Sequence, residues 1–147
     1  MNNLEELESV LFYQLKTMKE DQLYNLLKRT VLKSLIKVEN QFSSHDCLIK
    51  NGAVELKCRR THYNTLRIQK DKYDHMQQFN IKYYICSTPK GVYLFDLDRL
   101  TPEFIETYNP ASTDYYNKNI ILKQTYDIPI LDGVNITSKI LKYLKMI

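Results

Sequence analysis

The chain has 147 residues, 44% of them hydrophobic and 26% charged, a balance that suits one globular domain with a real core. No apolar run approaches the roughly 18 residues of a membrane span. The acidic start MNNLEELESV lacks the basic-then-apolar order of a secretion signal, so the expectation is a cytoplasmic protein with no membrane partner (the host cytoplasm, if the source is viral). Net charge is +4, and the three cysteines, Cys47, Cys58 and Cys86, have no close pairing, as fits a reducing compartment.

In chain order, residues 4–18 read as a helix, with Asn3 as cap and Leu4, Leu7, Leu11 and Leu15 at helical spacing. Asp21 caps a second helix expected to run to about Val38, with Leu23, Leu26, Leu27, Thr30 and Ser34 near one stripe. Residues 45–50 and 53–59 read as two strands around Asn51-Gly52. Residues 71–79 read as a short helix capped by Asp71, with Tyr73, Met76 and Phe79 on one side. The segments 81–88 and 91–98 are β-branched and aromatic and read as strands joined by a Pro/Gly turn. Thr101 and Pro102 resemble a helix start, so LTPEFIETY reads as a helical turn. Residues 109–118 read as a loop, 119–126 as a strand, and the end as a helix beginning after Asn135 or Thr137. There is no repeat, linker or low-complexity tract, so one α/β domain over residues 1–147 is the simplest organisation.

The stretch SSHDCLIKNGAVELKCRR (43–60) carries charges where strands usually hold apolar residues. With Asn51-Gly52 as a two-residue turn, Lys50 pairs with Ala53, Ile49 with Val54, Leu48 with Glu55, Cys47 with Leu56 and Asp46 with Lys57. Alternation then puts Asp46, Leu48, Glu55 and Lys57 on one face, and Cys47, Ile49, Val54, Leu56 and Cys58 on the other. The second face is apolar and is expected under helices. On the first, Asp46 and Glu55 are diagonal neighbours, about 7–8 Å apart at the backbone, close enough for both to reach one hard cation. Lys57 beside them suits the orientation of a water or the balancing of phosphate charge. A cross-strand ion pair on a solvated face is the plain alternative. From Lys57 to Lys72 the chain carries six basic residues, Lys57, Arg59, Arg60, Arg67, Lys70 and Lys72, against one acid, Asp71; such a patch suits a polyanion or a solvated face.

Asp46, eight intervening residues and Glu55-x-Lys57 together resemble the PD-(D/E)xK motif of restriction endonucleases, Holliday-junction resolvases and many phage recombination or repair nucleases. The resemblance spans roughly residues 20–98. It implies a restriction endonuclease-like αβββαβ core, a small mixed sheet flanked by helices, with the Asp at the second core strand and Glu-x-Lys on the third. It also implies a Mg²⁺- or Mn²⁺-dependent deoxyribonuclease, an endonuclease rather than an exonuclease, in recombination, repair or phage DNA processing. Asp46 and Glu55 would be metal ligands and Lys57 the catalytic lysine. A further acid on the first core helix would be Glu39, with Glu20 second. For the Gln, Lys or Tyr near the helix after Glu-x-Lys, Gln69, Lys70, Lys72 and Tyr73 compete, with Gln69 and Lys72 preferred. Arg59, Arg60, Arg67, Lys70 and Lys72 would bind DNA phosphates. His45 stands where the motif name has proline, and residues 99–147 match no feature of the family; the resemblance leaves room for a homodimer. The alternatives are a non-catalytic nucleic-acid-binding or protein-interaction module on the same fold, and an unrelated α/β protein with a surface ion pair. Zinc is not favoured, since Cys47, Cys58, Cys86, His45, His62 and His75 show no CxxC or HxxxH spacing. The three glycines form no phosphate loop, and the Asn135-Ile136-Thr137 acceptor pattern has no secretion signal to accompany it.

Overall fold

The structure is a computed structural model and describes residues 3–38, 47–110 and 120–147. Two helices come first, α1 (Asn3–Leu15) and α2 (Glu20–Arg29). Strands β1 (Ile36–Lys37), β2 (Cys47–Ile49), β3 (Gly52–Cys58) and β4 (Thr65–Gln69) follow, and then α3 (Lys70–Met76). After these come β5 (Ile81–Thr88), β6 (Gly91–Asp96), β7 (Glu103–Pro110) and β8 (Ile120–Pro129). A 3₁₀ turn (Ile130–Asp132), β9 (Val134–Asn135) and α4 (Thr137–Met146) close the chain.

The fold is mixed α/β with two sheets. The larger has six strands in the order β1-β2-β3-β5-β6-β9 and is mixed, because β3 and β5 run parallel while their other neighbours are antiparallel. The smaller is antiparallel, in the order β4-β8-β7. Side-chain alternation divides the large sheet between two cores. Cys47, Val54, Leu56, Ile85 and Val92 pack under Leu11 and Leu15 of α1, Leu23, Leu26 and Leu27 of α2, and Ile140 and Leu141 of α4. On the opposite face Ala53, Tyr84, Cys86 and Phe95 pack against Leu66 and Ile68 of β4, Met76 of α3 and Ile128 of β8. The order of layers is therefore helices, large sheet, then small sheet with α3. Among the described residues no helix is long and apolar enough to cross a membrane.

The second helix is much shorter than its stripe suggests. It stops at Arg29, where the Thr30 hydroxyl donates to Leu26 O at 2.7 Å and the Leu32 N–H reaches Leu27 O at 2.8 Å. β-Branched Thr30 and Val31 are weak helix formers, and a hydroxyl bonded back to the preceding turn competes with the ladder. Leu35 is then buried and Ile36–Lys37 join the sheet edge, while Ser34 is exposed. α1 likewise ends at Leu15, short of residue 18. α3 begins at Lys70 after Gln69, which puts Asp71 in its first turn rather than at its cap; there its charge still suits the helix dipole. LTPEFIETY (100–108) is expected as a helical turn and 109–118 as a loop, but Glu103–Pro110 form a strand, β7, paired along its whole length with β8. Phe104 and Tyr126 meet across that ladder at 5.5 Å between ring centroids, a cross-strand contact that overrides the local Thr-Pro start signal. The terminal helix begins as expected: Asn135 Oδ1 accepts from the Thr137 N–H (3.1 Å) and hydroxyl (2.6 Å), and Thr137 Oγ1 accepts from the Val92 N–H at 2.9 Å.

The hairpin keeps its expected faces but not its expected turn. The register pairs Ile49 with Gly52, Leu48 with Ala53 and Cys47 with Val54, so the loop is Lys50-Asn51. Asn51 alone of the expected Asn-Gly pair has positive φ, at 62°. Each partner has slid two residues along β3, and a slide of two preserves every side chain's face. Gly52 is needed in the ladder instead of the turn, because a Cβ there would lie 2.6 Å from Ile81 O and 2.7 Å from Ile81 Cβ on β5. Gly52→Ala is therefore expected to destabilise the protein by about 1–3 kcal/mol, since the obstruction is backbone rather than a flexible side-chain end. Urea unfolding reads this as a lower midpoint at unchanged m; an unmoved midpoint would show that β5 yields without penalty.

Candidate active site

The hairpin alternation that buries Val54 and Leu56 under the helices turns Glu55 and Lys57 to the opposite face of β3, toward the small sheet. Glu55 is only 2% exposed and sits beside Tyr84 of the parallel strand β5. Its Oε1 accepts a hydrogen bond from Lys72 Nζ at 3.1 Å, an ion pair whose lysine side chain is 40% exposed. Two residues further on, Lys57 is exposed. It opens into a groove of about 530 Å³ between the end of β3 and the small sheet. Arg59, Arg67, Gln69 and Lys70 line the same groove, with Thr107 of β7 and Lys123, Gln124 and Thr125 of β8. Five cationic side chains thus face one acid, Asp71, in a concave channel, an arrangement that concentrates positive potential.

The walls are braced. Arg67 Nε donates to Asp127 Oδ2 at 3.2 Å across the β4–β8 pair, and Lys70 pairs with Asp74 one turn along α3. Tyr73 packs on Tyr126 of β8, ring centroids 4.3 Å apart, and burial pushes its phenol up from the ordinary value. Cys86, paired in register with Lys57, is buried; desolvation pushes its thiol up to about 11, against the opposing pull of Arg59. It is a protonated packing group at neutral pH rather than a nucleophile. His62 is pushed below its ordinary value by burial and by the Lys90 charge, and its Nδ1 lies 2.9 Å from Thr88 Oγ1 in a hydrogen bond.

The sequence-predicted residues are distributed unevenly. Lys57, Arg59, Arg67, Gln69 and Lys70 converge on the groove, and Lys72 reaches Glu55 instead of standing among the groove-lining residues. Arg60 is exposed in the connector after β3, outside the groove. Asp46 and Glu39, the other expected metal ligands, and His45 lie outside the described residues. The helix on which Glu39 was expected ends at Arg29, so α2 carries Glu20 but not Glu39. Among the described residues no three His, Cys, Asp or Glu side chains gather to hold a metal. Lys123 and Gln124 were not anticipated. Their signal is the polar run Lys123-Gln124-Thr125 inside an otherwise strand-like segment, which gains meaning only once β8 is paired with β4.

Removing Lys72 leaves the carboxylate of Glu55 without this cation. Lys72→Met is expected to destabilise by about 1–2 kcal/mol, the low end for breaking an ion pair because the lysine is partly solvated. Lys72→Arg is expected to recover most of it, and equal unfolding midpoints for the Met variant and the parent would show that the pair contributes nothing.

Compared with protein-family models, with curated proteins and with solved structures, the chain gives no significant match.

Proposed function

We propose that the protein is a metal-dependent nuclease that hydrolyses phosphodiester bonds in DNA, with the Glu55-x-Lys57 pair at its centre. The observation that carries this reading is the division of labour on β3: a buried carboxylate and, two residues on, an exposed lysine at a groove lined by arginine and lysine. The element order supports it as well. α2, the antiparallel neighbours β1, β2 and β3, then α3 and the parallel strand β5 follow the αβββαβ sequence of a restriction endonuclease-like core, with β4 inserted before the second helix. In that scheme Asp46 directly precedes the second core strand and Glu55-x-Lys57 occupies the third.

The donor chemistry fits a hard divalent ion. Glu55 would supply one carboxylate oxygen and Asp46 the second, and Mg²⁺ characteristically takes one or two carboxylates with water and phosphate. When bound, such an ion activates water and offsets phosphoryl charge. Lys57 donates hydrogen bonds that orient the attacking water and balance charge developing on the phosphate. The Gln69 amide on the groove wall positions the scissile phosphate. Arg59, Arg67, Lys70 and Lys123 hold the flanking phosphates, which gives affinity without sequence information. Lys72 holds the Glu55 carboxylate in place.

The test is incubation of labelled linear, circular and branched DNA with Mg²⁺, with Mn²⁺ and with chelator, comparing the parent with Glu55→Ala and Lys57→Ala. Metal-dependent cutting that disappears in both variants is the expected result, and cutting of the circular form identifies an endonuclease. Binding without cutting, unchanged by either substitution, overturns hydrolysis and leaves a nucleic-acid-binding module.

A further inference from the structure

We propose that a recess beside the groove seats an unpaired base of the DNA, stacked on Tyr63, so that the preferred substrate carries a single-stranded segment next to the cleaved bond; this rests on reading the groove as the DNA site. The recess, about 320 Å³, is lined by Arg59, Tyr63, Asn64, Thr65 and Arg67, and it shares both arginines with the main groove.

Tyr63 is 51% exposed. A singly exposed aromatic is ordinary on a protein surface; the setting of this one is not. The connector that carries it is pinned on both sides: Asn64 O accepts from the Ile130 N–H at 2.7 Å, and His62 is held by its hydrogen bond to Thr88 and by the Tyr93 ring at 5.7 Å. The start of the connector is fixed too, since the Arg59 N–H donates to Ser87 O at 2.8 Å. The ring is therefore presented by anchored backbone, so little ordering remains to be done on binding.

The Arg59 guanidinium lies over the Tyr63 ring, 5.2 Å from its centroid. That contact occupies one side of the ring, and Tyr63 remains half exposed in a recess that Arg59 and Arg67 also line. Bases in a duplex hide their faces in the helical stack, whereas an unpaired base offers one. A cationic track combined with an aromatic platform is the common solution for binding single strands. Arg67, braced by Asp127, stands where the recess meets the groove and can hold the phosphate linking the stacked nucleotide to the strand at Lys57.

The test is fluorescence anisotropy with a labelled single-stranded oligonucleotide and with a blunt duplex of the same sequence, in chelator so that no strand is cut. The parent is expected to bind the single strand more tightly. Tyr63→Ala is expected to weaken single-strand binding about tenfold with little change for the duplex, and Tyr63→Phe to stay within about twofold of the parent. Arg67→Ala is expected to weaken both forms, as a phosphate contact does. Equal losses for single strand and duplex in Tyr63→Ala, no loss in either, or a parent that binds neither form overturns the proposal. Thermal melts of each variant separate a lost contact from a lost fold. Because the readout is binding without metal, a protein that stacks single strands but never cuts them would refute the nuclease reading and the cleaved bond with it, while sustaining the seating of an unpaired base on Tyr63.

Discussion

Lys57→Ala is expected to lower the rate of metal-dependent DNA cleavage by about a hundredfold or more, the scale of a lost positioned proton-handling group, with DNA affinity reduced only a fewfold. The asymmetry follows from the site. Lys57 is exposed at the groove, so its removal leaves no cavity, and Arg59, Arg67, Lys70 and Lys123 remain to hold phosphates. What disappears is the one cation two residues from Glu55 on the same strand face. Glu55→Gln is expected to be at least as damaging to cleavage while keeping the volume and much of the packing of the buried side chain. Single-turnover cleavage measured beside anisotropy separates the two effects. Equal losses of rate and affinity in Lys57→Ala would reduce this lysine to one more phosphate contact.

Phe95→Ala is expected to destabilise the fold by about 3–5 kcal/mol, the largest effect of any single truncation considered. Phe95 is fully buried on β6, on the face of the large sheet that meets the small one. It packs in one cluster with Leu66, Ile68, Met76 and Ile128, residues from β4, α3 and β8. Its ring also lies so close to Gly133 that a Cβ there would be 2.7 Å from Cζ, so the backbone after the 3₁₀ turn is fitted around it. Little can move in to refill the space. Urea unfolding measures the loss, with Phe95→Leu as the milder comparison, and a change below 1 kcal/mol in Phe95→Ala would mean that the two sheets do not depend on this ring. Since β4, α3 and β8 also carry the groove walls, cleavage is expected to fall with stability.

The parts legible in the sequence are those where local pattern and tertiary role agree. β5 and β6 are continuous β-branched and aromatic runs because both of their faces are covered, and they lie where expected. The two faces of the hairpin are legible although its turn is not: alternation survives a two-residue slide, whereas the choice between turning on Asn51-Gly52 and on Lys50-Asn51 depends on how closely β5 approaches Gly52. β4 escapes notice because its five residues sit inside a basic run. In hindsight Leu66 and Ile68, buried, alternate with Arg67 and Gln69, exposed, which is the half-buried strand signature. The pairing of β8 with β4 is illegible for a different reason, although a strand is expected over 119–126 and β8 lies at Ile120–Pro129. Arg67 and Asp127 lie 60 positions apart, so no short window contains both members of that pair, whereas β7, whose partner β8 is the next strand, is hidden by the local Thr-Pro helix-start signal. Glu55 and Lys57 could be singled out in advance because charge inside a strand pattern is unusual, while Lys123 and Gln124 are ordinary surface residues until β8 is placed beside β4.

The pairing of β4 with β8 also bears on how the protein is made. Arg67 and Asp127, partners in that ladder, are separated by 60 positions, so the first groove wall leaves the ribosome long before the second. Closing so long a loop is entropically slow, and non-local strand pairing comes late in folding. Until β8 is made, β4 lacks its ladder partner and the groove lacks the wall that Lys123, Gln124 and Thr125 supply. Under the nuclease proposal, Glu55 and Lys57 would stand on the large sheet before β8 encloses the groove, and competence would arrive only once β8 is made.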